Sequence, residues 1–206
     1  MAAPIRIHHF AKSGHAHRVR LFASLAGIEH EVIEVDLGGG AHRRPDFLAM
    51  NPAGQVPVIE DGETVISDAN AILVYLAKTR APDWLPEDAR SAAEVQKFLT
   101  LAAGEQAFGP AALRLNAVFG AANPEDHCRA IAERYLGKLE AHMAGRDFLV
   151  GDRPTIADVA LYGYTAHAPE GGVSLDPYPN VRRLLAGIEA LPGFVPMPAT
   201  KVGLSA

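Results

Sequence analysis

The sequence has a single cysteine, Cys128, in 206 residues. That excludes a disulfide framework within the chain and any zinc site built on several thiolates. It has no surplus of positive charge. With 19 lysines and arginines against 24 acidic residues, the phosphate-neutralising excess of a nucleic-acid binder is missing. No apolar run approaches the ~20 residues that span a bilayer. The start, Met1-Ala2-Ala3-Pro4-Ile5-Arg6, lacks the basic-then-apolar pattern of a secretory leader. What is abundant is apolar material, 49% of residues, which excludes disorder as the main state. The expectation is a soluble, cytoplasmic globular protein of one large or two small domains, with no nucleic-acid and no membrane partner.

The two parts of the chain have different periods. Ile5-Arg6-Ile7-His8-His9-Phe10 alternates as a strand does. A polar turn through Ser13 follows, and residues 16–26 then carry Val19, Phe22 and Ala26 at helical spacing up to Gly27. Residues 31–36 form a second strand candidate, completing a unit of βαβ length. Residues 45–50 predict a short helix with Pro45 in its first turn. Val56-Pro57-Val58-Ile59-Glu60 and Thr64-Val65-Ile66, joined through Asp61-Gly62, predict a hairpin. Ser67 or Asp68 then caps a helix through Ile72, Leu73 and Leu76. The order β-α-β-α-β-β-α implies a small mixed sheet with helices packed on it. Two prolines, Pro82 and Pro86, mark a linker over 81–89. From there the pattern is helical over 89–119, 125–143, 155–167 and 179–191, with Gly104 and Pro110 placed to bend or divide the first run. The tail from Pro192 reads as irregular.

Four short segments are candidates for chemistry. Ser13 opens a helix, where the dipole favours an anion, and its hydroxyl either caps the helix or donates to a bound sulfur. Pro57 stands at the start of a short strand, where it cannot donate to the ladder. If its peptide bond is cis, Val56 offers N–H and C=O groups to an extended peptide. Ser67-Asp68-Ala69-Asn70 opens another helix, which offers N–H groups to a carboxylate while Asp68 accepts from an ammonium. Thr155-Ile156-Ala157-Asp158 approximates a capping box and reads as structural. His8 and His9 are adjacent in a strand, so they face opposite ways and cannot share a metal. His15 and His17 lack a third ligand, and no metal is expected.

Together these segments resemble the cytosolic glutathione transferases, in particular their serine-type, theta-like bacterial forms. Ser13-Gly14-His15-Ala16-His17-Arg18-Val19-Arg20-Leu21 is similar to the active-site segment of that family. Asn51-Pro52-Ala53-Gly54-Gln55-Val56-Pro57-Val58 resembles its cis-proline loop. Ser67-Asp68-Ala69-Asn70-Ala71-Ile72-Leu73-Val74-Tyr75-Leu76 resembles its glutathione-binding helix start. Phe148-Leu149-Val150-Gly151-Asp152-Arg153-Pro154-Thr155-Ile156-Ala157-Asp158 resembles its helical-domain capping segment.

The resemblance implies an α/β thioredoxin-like domain over 1–80 and an all-α helical bundle over 90–206. It implies a cis Val56–Pro57 bond, with Val56 pairing the cysteinyl backbone of glutathione. Asp68 and the N–H of Ala69 would meet the γ-glutamyl end, His42 and Gln55 the glycyl end, and Ser13 the thiol. His15 is a rival to Ser13. A second pocket for a small apolar electrophile is expected between the domains, along 89–119 and lined by Phe108 and Leu113. Glutathione is then a co-substrate, and a homodimer is implied. The alternatives are a non-catalytic relative, or a glutathione-dependent isomerase, dehalogenase or peroxidase. Ala69 departs from the usual serine and removes one side-chain hydrogen bond. With no tyrosine before Tyr75 and Cys128 in the helical half, tyrosine-type and cysteine-type mechanisms are unavailable.

Overall fold

Apolar alternation in Ile5–His9 and a helical stripe just after it produce the first crossover of the computed structural model, which describes residues 4–201. Residues 1–3 and 202–206, which the domain assignments include, lie outside the described residues, and so does the Met1-Ala2-Ala3 start. Strand β1 (Ile5–His9) pairs in parallel with β2 (His30–Glu34), with α1 (Gly14–Leu25) between them in sequence. Strands β3 (Val58–Asp61) and β4 (Thr64–Ser67) form the antiparallel hairpin, and β3 also pairs antiparallel with β1. The sheet order is β2-β1-β3-β4.

Strand alternation sets the two faces of the sheet. His8 points towards α2 (Pro45–Met50), where its ring meets Phe47 edge-on at 6.1 Å. Phe47 packs there with Val35 and Val58. Ile5, Ile7 and His9 take the other side of β1. There α1 packs against α3 (Ala69–Arg80), and Phe22 and Leu76 are fully buried.

The chain divides into two compact units. The first runs to Leu85 and includes Leu191–Pro198; the second comprises Pro86–Ala190 and the residues from Ala199 onward. Trp84, edge-on to Phe22 at 5.5 Å, carries the first unit past residue 80. The segment Leu191–Pro198 was expected in the helical half but belongs with the first unit, because hydrogen bonds hold it to α1. Ser24 Oγ donates to the Gly193 carbonyl at 2.6 Å, and the His17 ring lies 2.7 Å from the Val195 carbonyl. Glycine is required at 193. Its φ is +85°, and a Cβ there would lie 2.7 Å from the Ser24 carbonyl oxygen.

The second unit is helical. Residues 89–119 form α4 (Ala89–Leu101), a π-helical segment (Ala102–Ala111) and α5 (Ala112–Phe119) in one run. The π segment contains both Gly104 and Pro110 and so takes up the irregularity the sequence predicts there. It brings Gln106 into the core, where Gln106 Nε2 donates to the Leu161 carbonyl at 2.6 Å and to Thr165 Oγ1 at 3.0 Å. Helix α6 (Glu125–His142) supplies Tyr135, whose hydroxyl is 2.6 Å from Thr165 Oγ1. Helix α7 (Ile156–Ala166) is buried on all sides, and α8 (Pro179–Glu189) buries Val181, Leu184, Leu185 and Ile188 along one stripe. Arg114 is fully buried and pairs with Glu170 at 2.6 Å. Glu170 also accepts from the Thr200 hydroxyl and N–H. Despite the burial of its carboxyl, these donors with His167 and Arg114 pull its pKa down to about 2. The architecture is thus an α/β thioredoxin-like unit followed by an all-helical one.

Candidate functional site

The site lies where two helix starts and one loop of the first unit meet. Ser13 is the N-cap of α1, and its Oγ accepts from Ala16 N at 3.2 Å. Its own N–H donates to the Phe10 carbonyl, and the turn before it is fixed by Ala11 N donating to Glu34 Oε1 at 3.0 Å. The hydroxyl accepts in this cap, so its proton remains to be donated elsewhere.

The loop before β3 is built around Asn51, which is buried. Its Nδ2 donates to the Gln55 carbonyl at 2.8 Å, and its Oδ1 accepts from Ala53 N at 3.1 Å. Gly54 has φ +61°, and a Cβ there would lie 3.1 Å from the His42 carbonyl oxygen, so any side chain at this position strains the loop. The Val56–Pro57 bond is cis. Sheet pairing begins at Val58, opposite Ser67 and His8, which leaves the backbone of Val56 outside the ladder.

On the other side stands the head of α3. Asp68 is its N-cap, with Oδ1 accepting from Ala71 N at 2.9 Å. Of the two caps the sequence allows, Ser67 or Asp68, the structure uses Asp68, and Ser67 ends β4. Asp68 has φ +73°, a strained conformation for a residue with a Cβ. Ala69 is the first helical residue, where N–H groups have no carbonyl one turn back.

These parts enclose a cavity of about 240 Å³. His15, Gln55, Val56, Pro57, Asp68 and Ala69 line it, together with Asn51, Ala53 and Ser67. Ser13 and His42 do not line it. Ser13 sits half-buried two residues before His15. His42 lies in the 3₁₀ turn Ala41–Arg43 against Gly54, with its Nδ1 buried and without a hydrogen-bond partner. Phe108 and Leu113 belong to the second unit. Phe108 is 65% exposed and borders a groove of about 400 Å³ with Cys128 and Ile131. Leu113 is buried against the backbone at Gly171.

The electrostatics separate the two candidates for thiol activation. Burial, and then the Arg18 charge, push the His15 pKa down to about 4, with Asp68 opposing them in part. His15 is therefore a neutral imidazole at pH 7. The folded protein resists protonating it while the unfolded chain does not. Its contribution to stability is complete above about 6.5, the unperturbed value, and is lost as pH falls towards about 4. His15→Gln removes this dependence. Chemical unfolding at pH 7 and pH 4.5 should show the variant losing less stability on acidification than the parent; an equal loss in both would contradict it.

Sequence reasoning missed three residues. Asn51 reads in the sequence only as part of a loop. Glu34, which holds the turn before Ser13, was not singled out. Arg18 has no role in the motif it belongs to, although it is 3% exposed and donates to Asn70 Oδ1 at 2.6 Å. The available signal was a charged residue amid the buried stripe of Ala16, Val19 and Phe22. Among the described residues, no group of three His, Cys, Asp or Glu side chains is placed to hold a metal. No helix among them is long and apolar enough to cross a membrane.

Residues 13–79 match the glutathione S-transferase N-terminal domain, and residues 91–192 match the glutathione S-transferase C-terminal domain. The chain is 33% identical to glutathione S-transferase 3 of Zea mays over 93% of its own length and 92% of that protein's. It is 30% identical to the maleylacetoacetate isomerase of Rattus norvegicus, over 91% and 89% of the two chains. Its fold matches the crystal structure of a possible glutathione S-transferase from Rhodopseudomonas palustris with a TM-score of 0.89 at 29% identity, covering 97% and 100% of the two chains. The chain belongs to the glutathione S-transferase family.

Proposed function

We propose that the cavity beside Val56–Pro57 binds glutathione in an extended form, and that the protein is a serine-type transferase. In this reading it joins the thiolate of glutathione to a small, apolar electrophile. What supports the reading most is a single juxtaposition. The backbone of Val56, free of the sheet ladder, lines one cavity together with His15 near the start of α1 and with Asp68 and Ala69 at the head of α3. A γ-glutamyl carboxylate is suited to the N–H groups at Ala69, and its ammonium to Asp68. The cysteinyl backbone pairs with Val56 as an added strand. The glycyl end reaches Gln55, with His42 behind the loop.

The sulfur then lies at the start of α1. A free thiol has a pKa of ~8.5, and each unit of depression corresponds to ~1.4 kcal/mol of preference for the thiolate. The helix N-terminus and the Ser13 hydroxyl proton both favour the anion. His15, with a pKa of about 4, is too weak a base to keep the thiol proton at neutrality, so that proton goes to solvent. The thiolate attacks an electrophilic carbon, forming the S–C bond as the leaving group departs. The resemblance offers Phe108 and Leu113 of the helical unit for contact with this second substrate; Phe108 is exposed and Leu113 is buried, which favours Phe108. Kinship with the family, rather than the geometry of the site, extends the proposal to a cytoplasmic homodimer serving detoxification.

A second reading is a glutathione-dependent isomerase, favoured by the name of the rat relative. Stoichiometry separates the two. Conjugation consumes one glutathione per turnover and isomerisation consumes none. Incubation with a panel of electrophiles and of cis-configured conjugated diketo acids, with free thiol counted against product, should show matched loss of thiol. Product without thiol loss would establish the isomerase reading instead.

A further inference from the structure

Arginine is costly to bury, because its charge leaves water. Arg18 is 3% exposed in the middle of α1, where an apolar residue would pack at no such cost. It lies three residues after His15 and four after Gly14, so the three share one side of the helix. Its Nη1 donates to Oδ1 of Asn70 at 2.6 Å. Asn70 is the second residue of α3, next to Ala69 and two residues from Asp68. His15, Asp68 and Ala69 all line the same cavity. The Arg18–Asn70 bond therefore joins two of the segments that line that cavity, the start of α1 and the head of α3. The Arg18 charge also reaches His15 itself, where it disfavours the imidazolium. Glu34 and Asn51 fix the loops of the site, but neither spans α1 and α3.

We infer that Arg18 is a positioning residue of the glutathione site, tying the first turns of α1 to the head of α3 through Asn70 and so setting the distance between the thiol end and the γ-glutamyl end of the ligand. The planar guanidinium suits this task, since its donors lie in a rigid fork and lysine supplies only a flexible point charge. The inference rests on the glutathione reading given above.

The test is a double-mutant cycle on the full chain, with calorimetric titration of glutathione and steady-state kinetics. The parent protein comes first, because absence of glutathione binding there would overturn the functional reading rather than the positioning role. With binding present, Arg18→Met and Asn70→Ala each weaken glutathione binding about tenfold, the scale of a hydrogen bond to a charged group. The double variant is no weaker than either single one. KM for the electrophile stays within about twofold of the parent, since the proposed role of both residues is confined to the glutathione side of the site. Arg18→Lys recovers part of the loss. If Arg18→Met does not fold, Asn70→Ala decides alone. Unchanged glutathione affinity in a folded variant, multiplying losses in the double variant, or an equal rise in both KM values would overturn the inference.

Discussion

Ser13→Ala lowers kcat/KM about 100-fold, the usual loss when one donor to a developing anion is removed, while glutathione affinity changes less than about threefold. Alanine also removes the helix cap, at a cost of ~1 kcal/mol in stability. Two further variants separate the roles. Ser13→Gly keeps most of the capping preference and lacks the hydroxyl, so it remains as slow as alanine. Ser13→Thr keeps the hydroxyl and recovers activity. The pH profile of kcat/KM carries the same information. In the parent it rises through the pKa of the bound thiol, one or two units below ~8.5, and in Ser13→Ala the rise moves up towards that value. His15→Gln changes kcat/KM less than about tenfold, as expected of a neutral side chain that does not donate to the sulfur. A fully active Ser13→Gly beside an inactive His15→Gln would transfer the role to His15.

Asp158→Ala destabilises the protein by about 3 kcal/mol, because it strips two buried N–H groups of their acceptor. The carboxylate is 1% exposed and takes Leu149 N and Thr155 N at 2.8 Å each, and the Thr155 hydroxyl at 3.0 Å. Thr155 in turn accepts from Ala157 N, closing the start of α7. For a chain of this size the melting temperature falls by roughly 6–12 °C. Asp158→Asn keeps one acceptor oxygen and loses about half as much. Acidification acts in the opposite sense from His15. Burial pushes the Asp158 carboxyl up to about 6 against the pull of its hydrogen bonds, so the folded state holds a proton that the unfolded chain releases. Stability from this group is complete below the ordinary carboxylate value and is lost as pH rises through about 6. Asp158→Asn therefore loses stability more steeply than the parent between pH 6 and pH 4.5, because the losses at the buried His15 and His9 remain and the offsetting gain at Asp158 is gone. Denaturant midpoints at the two pH values check this; parallel changes in parent and variant would contradict it.

The first unit was legible because its signals are local. Alternation in β1, the Asp61-Gly62 turn and the Ser13 cap each depend on a few neighbouring residues. The Thr155–Asp158 cap was readable for the same reason. The π-helical segment was announced only as irregularity at Gly104 and Pro110, since its hydrogen-bond shift depends on how α6 and α7 receive Gln106 and Tyr135. The return of Leu191–Pro198 to the first unit left no periodic trace, because it depends on Ser24, His17 and a close approach at Gly193. The positive φ of Asp68 was equally hidden, as nothing in a short polar side chain announces it. At the site, the resemblance brought Gln55, Val56, Pro57, Asp68 and Ala69 to one cavity. It gave no role to Arg18, whose partner Asn70 is 52 residues away in sequence.

The central claim is that the crevice beside Val56–Pro57 receives glutathione with its sulfur at Ser13. A crystal structure of the protein soaked with glutathione tests it most directly. The expected density shows the cysteinyl backbone paired with Val56, the γ-glutamyl end at Asp68 and Ala69, and the sulfur within hydrogen-bond distance of Ser13 Oγ. An empty crevice at saturating glutathione, or a sulfur turned away from Ser13 towards His15, would contradict it.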